Sequence, residues 1–164
     1  MDGIVIAPRR PERFDEIDQL LARSGVSYER RTRLGASVAE ATQVLLLDTI
    51  GELPNVLAAA TAVFVGGTVA AVGGHNVLEP AISGKPVAFG PHTANVRAAA
   101  EALLESGGAV CVHNAAELAA EWRGLLAQPA HARQRGARGR AVVAARAAVA
   151  ARTAELVRRC MRDA

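Results

Sequence analysis

Short uninterrupted apolar runs alternate with helix-like stretches along most of the chain, and this alternation most restricts its fold. The runs are residues 3–7 (GIVIA), 44–47 (VLLL), 62–65 (AVFV), 87–89 (VAF) and 109–112 (AVCV); residues 28–32 (YERRT) read as a weaker strand outside this pattern. None of the five alternates apolar with polar residues. Continuous apolar strands suit burial on both faces, as in a parallel sheet covered by helices. The stretches between them read as helices. In 11–24, Phe14, Ile17 and Leu21 share one face, Pro11 stands at the start and Gly25 follows the end. Residues 51–60, 78–83, 95–106 and 115–127 complete the set, the last capped by Asn114. The predicted class is α/β, a Rossmann-like open parallel sheet. After Pro129 a long Ala/Arg-rich helix begins, weakened early by Gly136 and Gly139. The predicted division is a lobe over 1–128 and a basic helical tail over 129–164.

Several classes of function fit poorly. Aromatic residues make up 3% of the chain, too few for base-stacking recognition of single strands. No apolar run approaches the roughly 18 residues of a membrane span; the longest, 62–72, is cut by Gly66 and Gly67. The opening MDGIVIAPRRPER lacks the basic-then-apolar order of a secretory leader, so none is expected. Cys111 and Cys160 match no disulfide or metal spacing and point to a reducing compartment. The four histidines have no ligand spacing, so no metal site is expected.

Charge is unevenly placed. Residues 131–164 hold nine arginines against Glu155 and Asp163, a net +7. The ten basic and fourteen acidic groups before them leave −4, and the whole chain comes to +3. A solvated helix is the plain reading of the tail; contact with an anionic membrane surface is the sharper one. No base-reading motif accompanies it, so nucleic acid is not an expected partner.

In open parallel sheets, ligands meet the carboxyl ends of the strands. Polar, glycine-punctuated residues follow the strands here: Arg9 and Arg10, then 48–52, then Gly66 onward, then 91–95. The segment GGTVAAVGGHNVLE (66–79) has two glycine pairs, which allow close backbone approach and free N–H donors. It is neither a Walker loop nor a dinucleotide fingerprint. Glu79, just before Pro80, suits the two hydroxyls of a ribose, or only a favourable charge at a helix start. His75 and Asn76 end the same loop, and His92 and Asn95 lie in GPHTAN. Ile50, Gly51 and Glu52 stand between a strand and a helix, where N–H groups suit a phosphate and Asp48 or Thr49 suits capping. Arg9 offers a fork for carboxylate or phosphate.

Taken in order, APRRPERF, LLLDTIGEL and AVFVGGTVAAVGGHNVLEPAISGKPVAFGPHTAN resemble the C-terminal half of the 3-deoxy-D-manno-octulosonic acid (Kdo) transferases of lipopolysaccharide assembly. The resemblance covers about residues 3–127, with GGHNVLEP and GPHTAN its most specific parts. It implies the C-terminal lobe of a glycosyltransferase-B fold that binds CMP-Kdo. Kdo would be transferred, with inversion and without metal or other cofactor, to a lipid A precursor at the cytoplasmic face of the inner membrane. It implies that Glu79 holds the ribose. The backbone of Ile50, Gly51 and Glu52 would touch the nucleotide, Thr68, His75 and Asn76 would lie by the phosphate and sugar, and Gly67, Gly74, His92 and Asn95 would also bind the substrate. Arg9 would meet the donor carboxylate or phosphate. The family has histidine where this chain has Arg10.

The same resemblance implies that the N-terminal lobe, with its membrane anchor, acceptor site and general base, is absent here. The donor lobe's first strand and helix would be absent too, leaving an unpaired sheet edge with exposed apolar surface. Such a chain is expected to be inactive alone. The donor lobe of a UDP-sugar transferase, and a non-catalytic nucleotide-binding remnant or partner subunit, stand as the other readings.

Overall fold

The structure, a computed structural model, describes residues 3–35, 39–71 and 73–162. Among the described residues, six strands and six α-helices follow one another in the predicted alternation. They fall into two compact units, residues 1–56 and 57–164.

In the first unit, β1 (Ile4–Ile6) and β2 (Tyr28–Arg30) both pair in parallel with β3 (Val44–Leu46). A 3₁₀ turn at Pro11–Arg13 leads into α1 (Phe14–Ser24), which ends at Gly25. Leu21, Val44 and Leu46 form a small core, joined by Ile6, Ile17 and Tyr28. The run GIVIA reads as a doubly buried strand, yet Ile4 and Val5 are 47% and 41% exposed. Among the described residues β1 pairs only with β3, so it lies at a sheet edge. The second strand is shorter than predicted, because Arg31–Arg33 turn into a 3₁₀ helix.

α2 (Leu53–Ala59) links the units. In the second unit, β4 (Val63–Val65) and β6 (Ala109–Cys111) both pair in parallel with β5 (Val87–Phe89). α3 (Leu78–Ile82), α4 (Arg97–Glu105) and α5 (Ala115–Ala127) connect and follow these strands. Asn114 caps α5, its side chain accepting the Glu117 amide. Val77, Val87, Phe89 and Leu103 are almost completely buried and centre the larger core. Among the described residues all pairings are parallel, as the apolar runs predict, but the hydrogen bonds assemble two sheets of three strands. Among the described residues β4 pairs with β5 alone and belongs to the second ladder.

α6 (Pro129–Arg162) is not a free tail over its first half. It packs chiefly against α3 and also meets α4, α5 and β6. Ala132 is buried, and Val142 and Val143 lie against the core. The two glycines expected to weaken this helix have a packing role. A Cβ at Gly136 would overlap the carbonyl of Gly84, and Gly139 lies against Ala81 and Leu103.

Candidate functional site

Parallel pairing puts all carboxyl strand ends of one sheet on one rim. In the first unit Ile6, Arg30 and Leu46 share a register, so the segments after them leave on the same side. Arg9 and Arg10 follow β1 and are exposed. The turn after β3 presents Ile50, 83% exposed, and exposed Gly51 before Glu52 and α2.

Charged groups fix this turn. The Asp48 side chain is fully buried. Its Oδ2 accepts from Arg30 Nε at 2.7 Å and from the Thr32 hydroxyl at 2.6 Å, and its Oδ1 accepts the Thr32 N–H at 2.9 Å. Burial opposes ionisation of Asp48, but the bonds from Thr32 and Arg30 outweigh it and hold the carboxyl below its usual range. Arg30 also bonds Asp15 at 2.8 Å and Asp18 at 3.4 Å, which ties α1 to the same rim. Glu52 accepts from the Thr49 hydroxyl and from Arg31, and these bonds lower its pKa against a smaller opposing effect of burial.

On the second unit's rim, the glycine-rich segment folds back on itself and on the segment after β5. Gly74 N–H donates to the Gly67 carbonyl at 3.0 Å, His92 N–H to Thr68 O at 2.8 Å, and Asn95 N–H to Gly73 O at 3.1 Å. These bonds bring Gly67, Thr68, Gly74, His92 and Asn95 into one cluster. Gly74 sits at φ 82°, with the His92 carbonyl only 3.0 Å from where a Cβ would stand. Both conformation and space therefore demand glycine there. Val72 lies outside the described residues.

Thr68 is completely buried. Its hydroxyl donates to Val65 O at 2.6 Å and accepts Gly90 N–H at 2.7 Å, so it braces the rim from inside. Asn76 is exposed and its Oδ1 accepts the Leu78 amide at 3.0 Å, opening α3. Glu79 stands exposed in the first turn of α3, and His75 is half-buried. A hollow of about 480 Å³ opens beside the cluster, lined by Gly73, His92, Thr93, Arg97 and Glu101 among others. Exposed His92 and Asn95 thus border closely approachable backbone, and Asn76 and Glu79 stand exposed where the same segment opens α3.

Two cations escape a reading by motif. Arg97 lines that hollow just past GPHTAN, and Arg31 meets Glu52 from 21 positions away. Adjacency to the motif was the only signal for the first; nothing local marks the second. A larger hollow of about 690 Å³ lies by β6, α5 and α6 and contains none of the candidate residues. Glu121 and Arg135 pair with each other there, and burial pushes the Cys111 thiol up, away from the reactive thiolate. Among the described residues no three His, Cys, Asp or Glu side chains could hold a metal ion, and no helix is long and apolar enough to cross a membrane.

No family model matches the chain. Curated relatives do. The 3-deoxy-D-manno-octulosonic acid transferase of Bordetella pertussis is 39% identical over 151 residues, 92% of this chain and 35% of the relative. The transferase of the same name from Haemophilus influenzae is 36% identical over 114 residues, 70% of this chain and 26% of the relative. The chain thus spans about a third of the length of these relatives or less. The 151-residue match is too long to stop at residue 127 and continues into α6. Among solved structures, the C-terminal CMP-Kdo binding domain of WaaA from Acinetobacter baumannii superimposes with a TM-score of 0.80 at 31% identity. That match covers 86% of this chain and 73% of the other.

Proposed function

Because the chain belongs to the 3-deoxy-D-manno-octulosonic acid transferase family, we propose that it is the donor-binding part of such an enzyme and holds CMP-Kdo. The observation that carries this is the likeness to a solved CMP-Kdo binding domain across 86% of the chain. The glycine-rich cluster and its exposed polar rim add a chemical reason.

In this reading Glu79 accepts the ribose hydroxyls, and His75, Asn76 and the backbone of Gly67 and Gly74 attend the phosphate and sugar. His92 and Asn95 border the same ligand. Thr68 acts from beneath, by fixing the rim. In the first unit, the backbone of the turn at 50–52 meets the nucleotide and Arg9 meets the donor carboxylate or phosphate. As Kdo leaves, negative charge grows on the CMP phosphate. Donors already in place there stabilise the transition state more than the ground state, because they need no reorganisation. In this reading the acceptor is a lipid A precursor, and the group that activates it lies outside the donor-binding part. The site of action is the cytoplasmic face of the inner membrane. The exposed arginines 152, 158, 159 and 162 of α6 suit its anionic surface.

Calorimetric titration with CMP, UMP and UDP tests the donor. Preference for CMP supports Kdo transfer; preference for UDP transfers the chain to a UDP-sugar donor. Flotation with vesicles of anionic against zwitterionic lipid tests the surface, and salt-sensitive binding to the anionic vesicles alone is expected.

A further inference from the structure

Arg31 stands against the turn after β3. Arg30, Arg31 and Thr32 are consecutive, and together they grip both ends of the segment 48–52. At its start, Arg30 and Thr32 hold the buried carboxylate of Asp48. At its end, Arg31 donates to Glu52 Oε1 through Nε at 3.1 Å and Nη2 at 2.9 Å. The Thr49 hydroxyl donates to Oε2 of the same carboxylate. Both oxygens of Glu52 are thus bonded within the protein. Between the two grips lie Ile50, 83% exposed, and Gly51 at φ 91°. A left-handed residue in a short turn has few substitutes for glycine and needs its flanks held to keep one shape.

We infer that Arg31 and Glu52 are positioning residues: their ion pair shapes the backbone of Ile50 and Gly51 for the nucleotide, and the Glu52 carboxylate does not itself touch it. The inference rests on the donor-binding reading. It assigns this turn's contacts to main-chain groups, which carry no charge of their own. The pair is partly exposed, with side chains 40% and 34% accessible. Pairs of that kind add little to stability, so geometry is the use left for it.

The test is calorimetric titration of CMP into the full chain and into Arg31→Met, Glu52→Gln, the double variant and Arg31→Lys, with melting temperatures recorded alongside. Each single variant is expected to weaken CMP binding by about tenfold, and the double by the same factor, because both act through one pair. Arg31→Lys should recover part of the loss, and melting temperatures should stay near the parent's. If Arg31→Met does not fold, Thr49→Val, which releases Oε2 at similar volume, replaces it with the same expectation. Undiminished CMP binding by the single variants overturns the inference. So does a double variant that loses the product of the two single losses, since Glu52 would then contact the ligand independently. Failure of the parent chain to bind CMP at all overturns the donor-binding reading, and this inference with it.

Discussion

The hydroxyl of Thr68 and the amide of Gly90 meet at 2.7 Å, and the same hydroxyl donates to Val65 O. One buried side chain therefore joins the ends of β4 and β5. The approach is so close that a Cβ on Gly90 would overlap the main chain of Thr68. Replacing Thr68 by Val should cost about 1–3 kcal/mol, since it leaves a buried amide and a carbonyl without partners. Thr68→Ser keeps both bonds and should cost less. Urea denaturation of the two variants checks the order; equal losses would mean that the hydroxyl is not what matters.

Gly136 sets helix propensity against packing. In an open helix, Gly→Ala gains about 1 kcal/mol. Here a Cβ would overlap the Gly84 carbonyl, at the seam between α6 and the loop after α3. Overpacking of this kind costs about 1–3 kcal/mol, so Gly136→Ala should destabilise. Gly124 in α5 is the control: nothing lies within 4 Å of where its Cβ would stand, and Gly124→Ala should stabilise by up to about 1 kcal/mol. Thermal melts of both variants, with shifts of opposite sign, are the expected result.

Asp48 makes stability fall in acid. Its carboxyl titrates lower in the folded chain than in the unfolded one, where about 3.9 is normal. The unfolded state therefore takes up its proton first as pH drops. The contribution of Asp48 is fully present above about pH 5 and is lost as pH falls below about 4, through the folded value. Urea midpoints measured from pH 7 down to pH 3 should fall with a slope that Asp48→Asn reduces. An unchanged slope in the variant would remove Asp48 from this role.

If Glu79 accepts the ribose hydroxyls, as proposed, a ligand-side prediction follows. Glu79→Gln should weaken CMP binding by about tenfold or more, the scale of a hydrogen bond to a charged group. Against 2′-deoxy-CMP the same change should matter less, because one of the two hydroxyls is already gone. Titration of both nucleotides into both proteins gives the four affinities; an equal loss for each would place Glu79 elsewhere.

Much of the fold was legible because every strand but β2 is a solid apolar run, most of them bounded by Gly, Pro or a charge. The run VAF became β5 and residues 115–127 became α5 without change. The grouping into two sheets was not legible, since an apolar run does not encode which edge it pairs on. At the rim, the paired glycines announced a closely approached backbone. The hydroxyl of Thr68 did not announce its direction: next to two glycines it reads alike whether it serves a ligand or a strand end. Arg31 was invisible for a related reason, since its partner Glu52 is 21 residues away and only the parallel register of β2 and β3 brings the two segments to one rim. The arginines of α6 hid its packed half, because the glycines and alanines that let it approach α3 look like weak points in a lone helix.

The central claim is that this chain recognises the CMP end of a sugar nucleotide. An amide-resolved NMR titration of the folded chain with CMP tests it most directly. The account predicts saturable shifts concentrated at Ile50, Gly51 and Glu52 and across Gly67, Gly74, His75, Asn76 and Glu79, with weaker response to UMP. Shifts confined to the hollow beside β6, or none from a demonstrably folded protein, would contradict it.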